Sequence, residues 1–321
     1  MKLIYIPLEH IDTRYTVHLD KDIVAYLDSK KIEYIRVDTP VQSKVLPKGL
    51  FLDAAGTIKT KAHQINMIAK LYEMGMVKDD TTFFFSDLWF PGIESLAYLN
   101  YFYKVNPKIT GIIHAGSFTD TDFVRDMERW AKNFEDIVFD ISSKVFVASE
   151  FIKKDKKKKR IIQKEKLIVS KLPLDSSLSK YVCNEKENIV LFNGRLCDEK
   201  QPWLFEKLKN HFSTTGWDFV STQELNLSKK DYYNLLAKSK VVVSFALQEN
   251  FGYGIAEAVA LGCVPVVPNR LVYPELYDKK YLYNDFQEAA QIVMQAMKGK
   301  ITAPLNKTDE TFKTWFESCE Y

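Results

Sequence analysis

The feature that most limits what this chain can fold into is an alternation that runs along its length. Short apolar runs of strand size recur between stretches with helical spacing. In the first half, residues 3–6, 32–37, 50–53, 82–85, 109–114 and 144–148 read as strands. Residues 20–29, 61–75, 92–103 and 122–134 read as helices; in 61–75 the apolar residues Ile65, Ile68, Leu71 and Met74 fall three or four apart. The second half repeats the alternation, with strands at 167–170, 189–193, 217–221, 241–246, 264–267 and 281–283. Helices fit at 202–212, 256–261 and 286–297, and another is opened by Ser228 with Asp231 and runs through Ala237. Repeated strand-then-helix units imply parallel sheets covered on both faces, an α/β architecture. A length of 321 residues accommodates two such domains, expected at 1–166 and 167–307. Phe312, Trp315 and Phe316 mark one apolar face, so 308–321 is expected to be a helix that packs back on the first domain. Two doubly wound Rossmann-like domains facing a central cleft would place ligands at the carboxyl ends of the strands.

Composition excludes several classes. The longest near-continuous apolar run, 241–247, is far short of the roughly 20 residues that cross a bilayer. The opening MKLIYIPLEH has no apolar signal core, so a cytoplasmic location and no membrane partner are expected. Cys183, Cys197, Cys263 and Cys319 are scattered without a C-x-x-C pair, against a zinc ribbon or a disulfide framework. The net charge of +3 hides an asymmetry: residues 153–166 hold nine Lys/Arg against two acids, leaving 36 bases against 40 acids elsewhere. That block, with Lys156, Lys157, Lys158 and Lys159 at its centre, is either a polyanion contact or a solvated linker or helix end between the halves. The chain is expected to act as a monomer or weak dimer.

Chemistry concentrates in SFALQENFGYGIAEAVA, residues 244–260. A strand delivers the chain to Glu249, Gly252 and Gly254 allow close backbone approach, and a helix N-terminus follows that favours an anion. Glu257, one turn into that helix, suits a vicinal diol, since a carboxylate accepts two hydrogen bonds. Upstream, strand 189–193 ends in Gly194 and Arg195, with Lys200 close behind; two cations past a strand end suit a diphosphate. No G-x-G-x-x-G follows any strand and no G-x-x-x-x-G-K-[ST] occurs, against a dinucleotide oxidoreductase and a P-loop ATPase.

Gly194-Arg195-Leu196 with Lys200, Glu249-Asn250-Phe251-Gly252 with Glu257-Ala258, and Gly262-Cys263-Val264-Pro265-Val266 together resemble the family 4 retaining glycosyltransferases of GT-B fold, over about 100 residues from 188 to 283. The tail Pro268-Asn269-Arg270-Leu271-Val272-Tyr273-Pro274-Glu275 looks most like the tRNA-queuosine mannosyltransferase branch. It also looks like phage glycosyltransferases that act on DNA bases, as do YIPLEHIDTRYT, FFFSDLWFPGIESLAYL and GIIHAGSFTDTDF. The resemblance implies an acceptor domain at 1–166 and a nucleotide-sugar donor domain at 167–307. Arg195 and Lys200 would neutralise the donor diphosphate and Glu257 would hold the ribose. Glu249, with the backbone of Asn250, Phe251, Gly252, Tyr253 and Gly254 and the turn at Gly194, would grip the donor sugar. His114 matches a family histidine that faces that sugar; on the residues alone it reads equally as a satisfied buried histidine. The family's Gly-rich loop after its first strand is replaced here by Pro7-Leu8-Glu9-His10-Ile11-Asp12-Thr13-Arg14, which makes Arg14 a candidate phosphate contact.

Asp120-Thr121-Asp122 is a D-x-D, a metal motif in another glycosyltransferase fold, but it stands where a helix cap is expected; no metal and no cofactor are therefore expected beyond the donor, a UDP-sugar. Acceptor contacts are expected at Arg14, Asp87, Trp89 and the lysine block, with Tyr15, Phe90 and Phe118 as further rings for an extruded base or as core. The acceptor expected is a hydroxyl on a modified base in DNA, a phage 5-hydroxymethylpyrimidine, with tRNA queuosine as the alternative. An inactive nucleic-acid-binding protein of the same fold and a small-molecule or lipid acceptor are further readings.

Overall fold

The chain is described by a computed structural model, for residues 2–11, 15–38, 53–114, 116–119, 122–158, 160–163, 165–183, 185–305 and 310–317. It forms two compact units: residues 1–148, 152–173 and 310–321, and residues 149–151 with 174–309.

Unit 1 is built on six parallel strands, β1 (Lys2–Ile6), β2 (Tyr34–Arg36), β3 (Thr81–Phe85), β4 (Lys108–Ile112), β5 (Lys144–Val147) and β6 (Leu167–Val169), in the order β2-β1-β3-β4-β5-β6. Helices α1 (Thr16–Ser29), α2 (Ala54–Glu73), α3 (Ser95–Tyr103), α4 (Glu128–Ile141) and α5 (Glu150–Lys157) connect them. Of the interior strands, β3 is buried along its whole length and β4 and β5 are buried beyond their first lysine, because helices cover both faces; Phe83, Phe84 and Phe85 are all fully buried.

Three expectations change here. Residues 50–52 of the strand expected at 50–53 lie outside the described residues, and Asp53 is the N-cap of α2, its carboxylate accepting from Gly56 N at 3.0 Å. Of the two bland readings of the lysine run, the helix end holds and the linker does not: its first part is the last turns of α5, and β6 beyond it pairs with β5, so residues 167–169 belong to the first sheet. Asp122 caps a 3₁₀ turn at Phe123–Met127 by accepting from Val124 N, and α4 starts only after it.

Unit 2 holds β7 (Glu187–Phe192), α6 (Pro202–His211), β8 (Asp218–Ser221), α7 (Lys229–Lys238), β9 (Ser239–Val243), α8 (Tyr253–Ala260), β10 (Val264–Pro268), α9 (Tyr273–Leu276), β11 (Leu282–Tyr283) and α10 (Phe286–Met297). Its five parallel strands run β11-β10-β9-β7-β8. Alternate residues of β7 and β9 feed two cores, Val190, Phe192, Val241 and Val243 on one face with α6 and α10, and Leu191 and Val242 on the other with α7 and α8.

The last helix, α11 (Thr311–Phe316), lies against unit 1. Phe316 meets Phe84 at 4.6 Å between ring centres, Trp315 Nε1 donates to Ser170 Oγ at 2.8 Å, and Tyr26 stacks on Phe312 and Phe316. Among the described residues no helix is long and apolar enough to cross a membrane.

Candidate donor and acceptor sites

The chain order of the unit 2 sheet reverses between β7 and β9, since β7 is flanked by β8 on one side and β9 on the other. At such a reversal the loops leaving the two strands diverge and a crevice opens beyond their carboxyl ends. The loops that leave there are 193–201 and 244–252, the two segments singled out from sequence.

Each carries its residues for a local reason. Gly252 is the N-cap of α8 at φ +80°, a backbone angle that favours glycine, and its N–H donates to Glu249 Oε1 at 3.1 Å. The second oxygen of Glu249 meets Lys200 Nζ at 3.1 Å, and Lys200 also donates to the Gln248 carbonyl. Glu249 is thus gripped through both oxygens, one by a helix N-terminus and one by a cation. Asn250 is fixed by Gln248 Nε2 at 2.8 Å, and Phe251 is buried beside the Tyr253 ring. Gly254 answers a packing demand inside the protein: a Cβ there would stand 2.9 Å from Asn193 Nδ2, which donates to the Gly254 carbonyl at 2.7 Å. Gly194 likewise lies under the Phe192 ring. Arg195 is half exposed and pairs with Glu199, four residues on. Leu247 N donates to the Glu199 carbonyl at 2.7 Å, which ties the two loops together.

Glu257 is buried and receives three donors: Lys229 Nζ at 3.2 Å and Tyr233 OH at 3.1 Å on Oε1, and Tyr232 OH at 3.2 Å on Oε2. All three stand on one face of α7, at the i, i+3 and i+4 positions. Burial first, and the Glu257 charge second, push both tyrosine hydroxyls up, so they stay protonated and donate. Tyr233 OH also lies 2.9 Å from Asp175 Oδ2, and with one proton it serves one of the two carboxylates at a time. A carboxylate has about four acceptor positions, so little capacity on Glu257 remains open; Lys229, 40% exposed, is the donor best able to give way. Asn193, Lys229, Tyr232 and Tyr233 escaped the sequence reading. The spacing 229/232/233 directly after the Ser228 cap was the available signal.

In unit 1 the order reverses between β1 and β3. Beyond β4, His114 Nε2 lies 2.9 Å from the Ser86 carbonyl, so that nitrogen carries the proton, and the ring faces Tyr15 at 5.5 Å. Asp87, after β3, accepts from Trp89 N at 2.9 Å; burial pushes its carboxyl up, against the pull of His114. Trp89 is half buried, its Nε1 donating to Glu135 at 3.2 Å and its ring against Trp130 and Phe134. Asp20 is a second buried carboxylate, receiving Tyr5 OH at 2.9 Å, His10 Nε2 at 2.8 Å and Arg36 Nη2 at 2.8 Å.

The lysine block needs correction. Lys156 is fully buried: its Nζ makes no hydrogen bond, lies 3.9 Å from Asp155 Oδ2 and presses on Gly116, so it cannot reach a phosphate backbone. Burial lowers its pKa, opposed by Glu135 and Asp155. Arg160 is interior too, bound to Glu135 and Asp136 and stacked over Phe118. Among the described lysines of the run, Lys154 and Lys158 are exposed and Lys153, Lys157 and Lys166 are half buried. Phe90 and Phe118 are core residues and offer no open stacking face. Arg14, Lys159 and Asp120 lie outside the described residues. Among the described residues no group of three His, Cys, Asp or Glu is placed to hold a metal ion.

No protein-family model matches the chain. A tRNA-queuosine alpha-mannosyltransferase of Drosophila melanogaster is 34% identical over 103 residues, 32% of this chain; the match covers 27% of that relative. Among solved structures, the catalytic domain of starch synthase IV from Arabidopsis thaliana, bound to ADP and acarbose, superposes with a TM-score of 0.60 at 10% identity, covering 98% of this chain and 93% of that one. The lipopolysaccharide outer core galactosyltransferase WaaB, in its apo form, gives 0.58 at 12% identity, with 98% and 94% covered. These likenesses establish the fold: the chain consists of two parallel-sheet, Rossmann-like α/β units of the GT-B kind.

Proposed function

We propose that this chain is a glycosyltransferase that moves a sugar from a nucleotide-sugar to a hydroxyl on a modified base of a nucleic acid. The observation that carries this reading is the convergence at the unit 2 strand reversal of Glu249, held by Lys200 and the α8 N-terminus, with Glu257, held by α7. In this reading Glu257 takes the ribose of the donor, and Arg195 and Lys200 offset the diphosphate charge without a metal. Glu249 and the 250–254 backbone orient the sugar. Transfer proceeds with retention: the acceptor hydroxyl attacks on the face the diphosphate leaves, and the departing phosphate takes its proton. The protein's contribution is then electrostatic, and losing one charge partner costs about 10²–10³ in rate.

The stretch shared with a tRNA-queuosine alpha-mannosyltransferase puts a tRNA acceptor first. A hydroxymethylated pyrimidine in DNA is the second reading, supported by the likeness of the segments around residues 5–16, 83–99 and 111–123 to phage enzymes. A UDP-sugar is the donor favoured by the family resemblance.

The test separates binding from turnover, in buffer containing excess EDTA. Glu257→Ala should weaken nucleotide binding with a smaller effect on turnover, because ribose contacts are alike in ground and transition states. Glu249→Ala should slow turnover with donor affinity nearly kept. Equal effects of both variants on both quantities, or activity that EDTA abolishes and manganese restores, would overturn these assignments.

A further inference from the structure

One face of α3 is aromatic and open. Tyr98, Tyr101 and Phe102 are 65%, 78% and 60% exposed, yet they touch one another, with ring centres 4.7 Å (Tyr98–Phe102) and 5.2 Å (Tyr101–Phe102) apart. This is not the face that anchors the helix: Leu96 is buried, Asn100 accepts from Tyr72 OH at 2.6 Å, and Tyr103 leans on the Tyr72 ring. Single exposed rings are ordinary, but a contiguous apolar patch marks a contact site. From 95 to 103 the sequence SLAYLNYFY has no charge; the flanking charges, Glu94 at the N-cap and Lys104 at the C-cap, are both exposed.

We propose that this face is a self-association surface, on which two copies of the chain pair through antiparallel α3 helices about a two-fold axis. A polyanion would require cations along the stripe, and an anionic membrane surface would require a basic polar face; α3 has neither. A second copy running antiparallel meets what the helix does offer. Glu94 of each copy falls near Lys104 of the other, at both ends, and the helix dipoles oppose. With the axis beside Leu99 and Asn100, Tyr98 faces Tyr101 and the small Ala97 faces the large Phe102, so the two surfaces interlock, as an isologous contact requires. Covering three rings on each copy removes on the order of 600–900 Å² in total, below the range of stable complexes, so the dimer is weak and concentration-dependent. This inference is independent of the activity proposed above.

Sedimentation equilibrium over a wide concentration range tests it. The average mass should climb from monomer toward dimer. Tyr101→Glu and Phe102→Glu, both at exposed positions, should raise the dimer dissociation constant at least about tenfold, roughly 1.4 kcal/mol, with the melting temperature unchanged. Lys104→Glu alone should weaken pairing and Glu94→Lys added to it should restore it. The proposal fails if the mass stays monomeric throughout, if Tyr101→Glu leaves dimerisation intact, or if the folded charge-swapped double variant stays monomeric. It fails equally if a monomeric wild type binds anionic vesicles through this face and Tyr101→Glu abolishes that binding.

Discussion

Replacing Tyr233 with phenylalanine removes a single oxygen from between two carboxylates and leaves the ring that packs in the unit 2 core. That oxygen lies 3.1 Å from Glu257 and 2.9 Å from Asp175. A hydrogen bond to a charged group contributes about 1.5–3 kcal/mol. The hydroxyl has one proton, so one such bond is lost rather than two. The carboxylate that had faced the oxygen lone pair is relieved, which reduces the net loss to about 1–2 kcal/mol. For a unit of this size each kcal/mol corresponds to about 2–4 °C, so thermal unfolding should show a drop of about 2–8 °C. Glu257 keeps Lys229 and Tyr232 but loses a fixed orientation, and the dissociation constant of a nucleoside diphosphate should rise about tenfold by calorimetry. Tyr26→Phe, which severs a bond to Glu317 on unit 1, serves as the control and should leave nucleotide affinity unchanged. The reasoning is refuted if Tyr233→Phe alters neither the melting temperature nor the affinity, or if both variants weaken the nucleotide equally.

Two further perturbations probe unit 1. Burial opposes ionisation of Asp20, but hydrogen bonds from His10 and Arg36 outweigh it and hold the carboxyl below its ordinary range. A depressed folded-state pKa gives stability that is complete above the ordinary carboxylate range and is lost as pH falls through the folded value. Asp20→Asn should therefore lower stability by about 2 kcal/mol at neutral pH, with the difference shrinking in acid; a gap that widens in acid would contradict this in a melting series against pH. In the lysine run, changing Lys154 to Gln should flatten the salt dependence of nucleic-acid binding by about one unit in anisotropy titrations, with stability unchanged, whereas Lys158→Gln should also cost stability because Lys158 pairs with the buried Asp155 at 3.0 Å. Lys156→Gln should instead alter the melting temperature, and an effect of Lys156 on the salt slope alone would place it at the surface after all.

The sheets were the most legible part of the chain, because a parallel strand buried on both faces writes itself as a continuous apolar run, as 83–85 and 264–268 do. The glutamate–glycine segment was legible for a related reason: a strand end, a φ-permissive glycine and a helix start must follow one another in sequence. Partnerships between distant segments were not. Lys229, Tyr232 and Tyr233 come to Glu257 only once α7 packs on α8, and nothing in their local pattern names the partner. The lysine run misled because charge counts ignore side-chain direction: Lys156 and Arg160 turn inward to Asp155 and Glu135 while Lys154 and Lys158 face out. Asp53 resembles the end of a strand in sequence because a cap and a strand end look alike when the apolar residue before it is the only cue.

Transfer of a sugar to a base hydroxyl in a nucleic acid leaves a heavier nucleoside. Nucleoside mass spectrometry tests it most directly, after incubation of the protein with a panel of nucleotide-sugars and either tRNA or hydroxymethylated DNA. One nucleoside should gain the mass of a single glycosyl residue, dependent on one donor and lost in Glu249→Ala. A nucleotide-sugar consumed only by water, or no mass change with any donor on either nucleic acid, would contradict it.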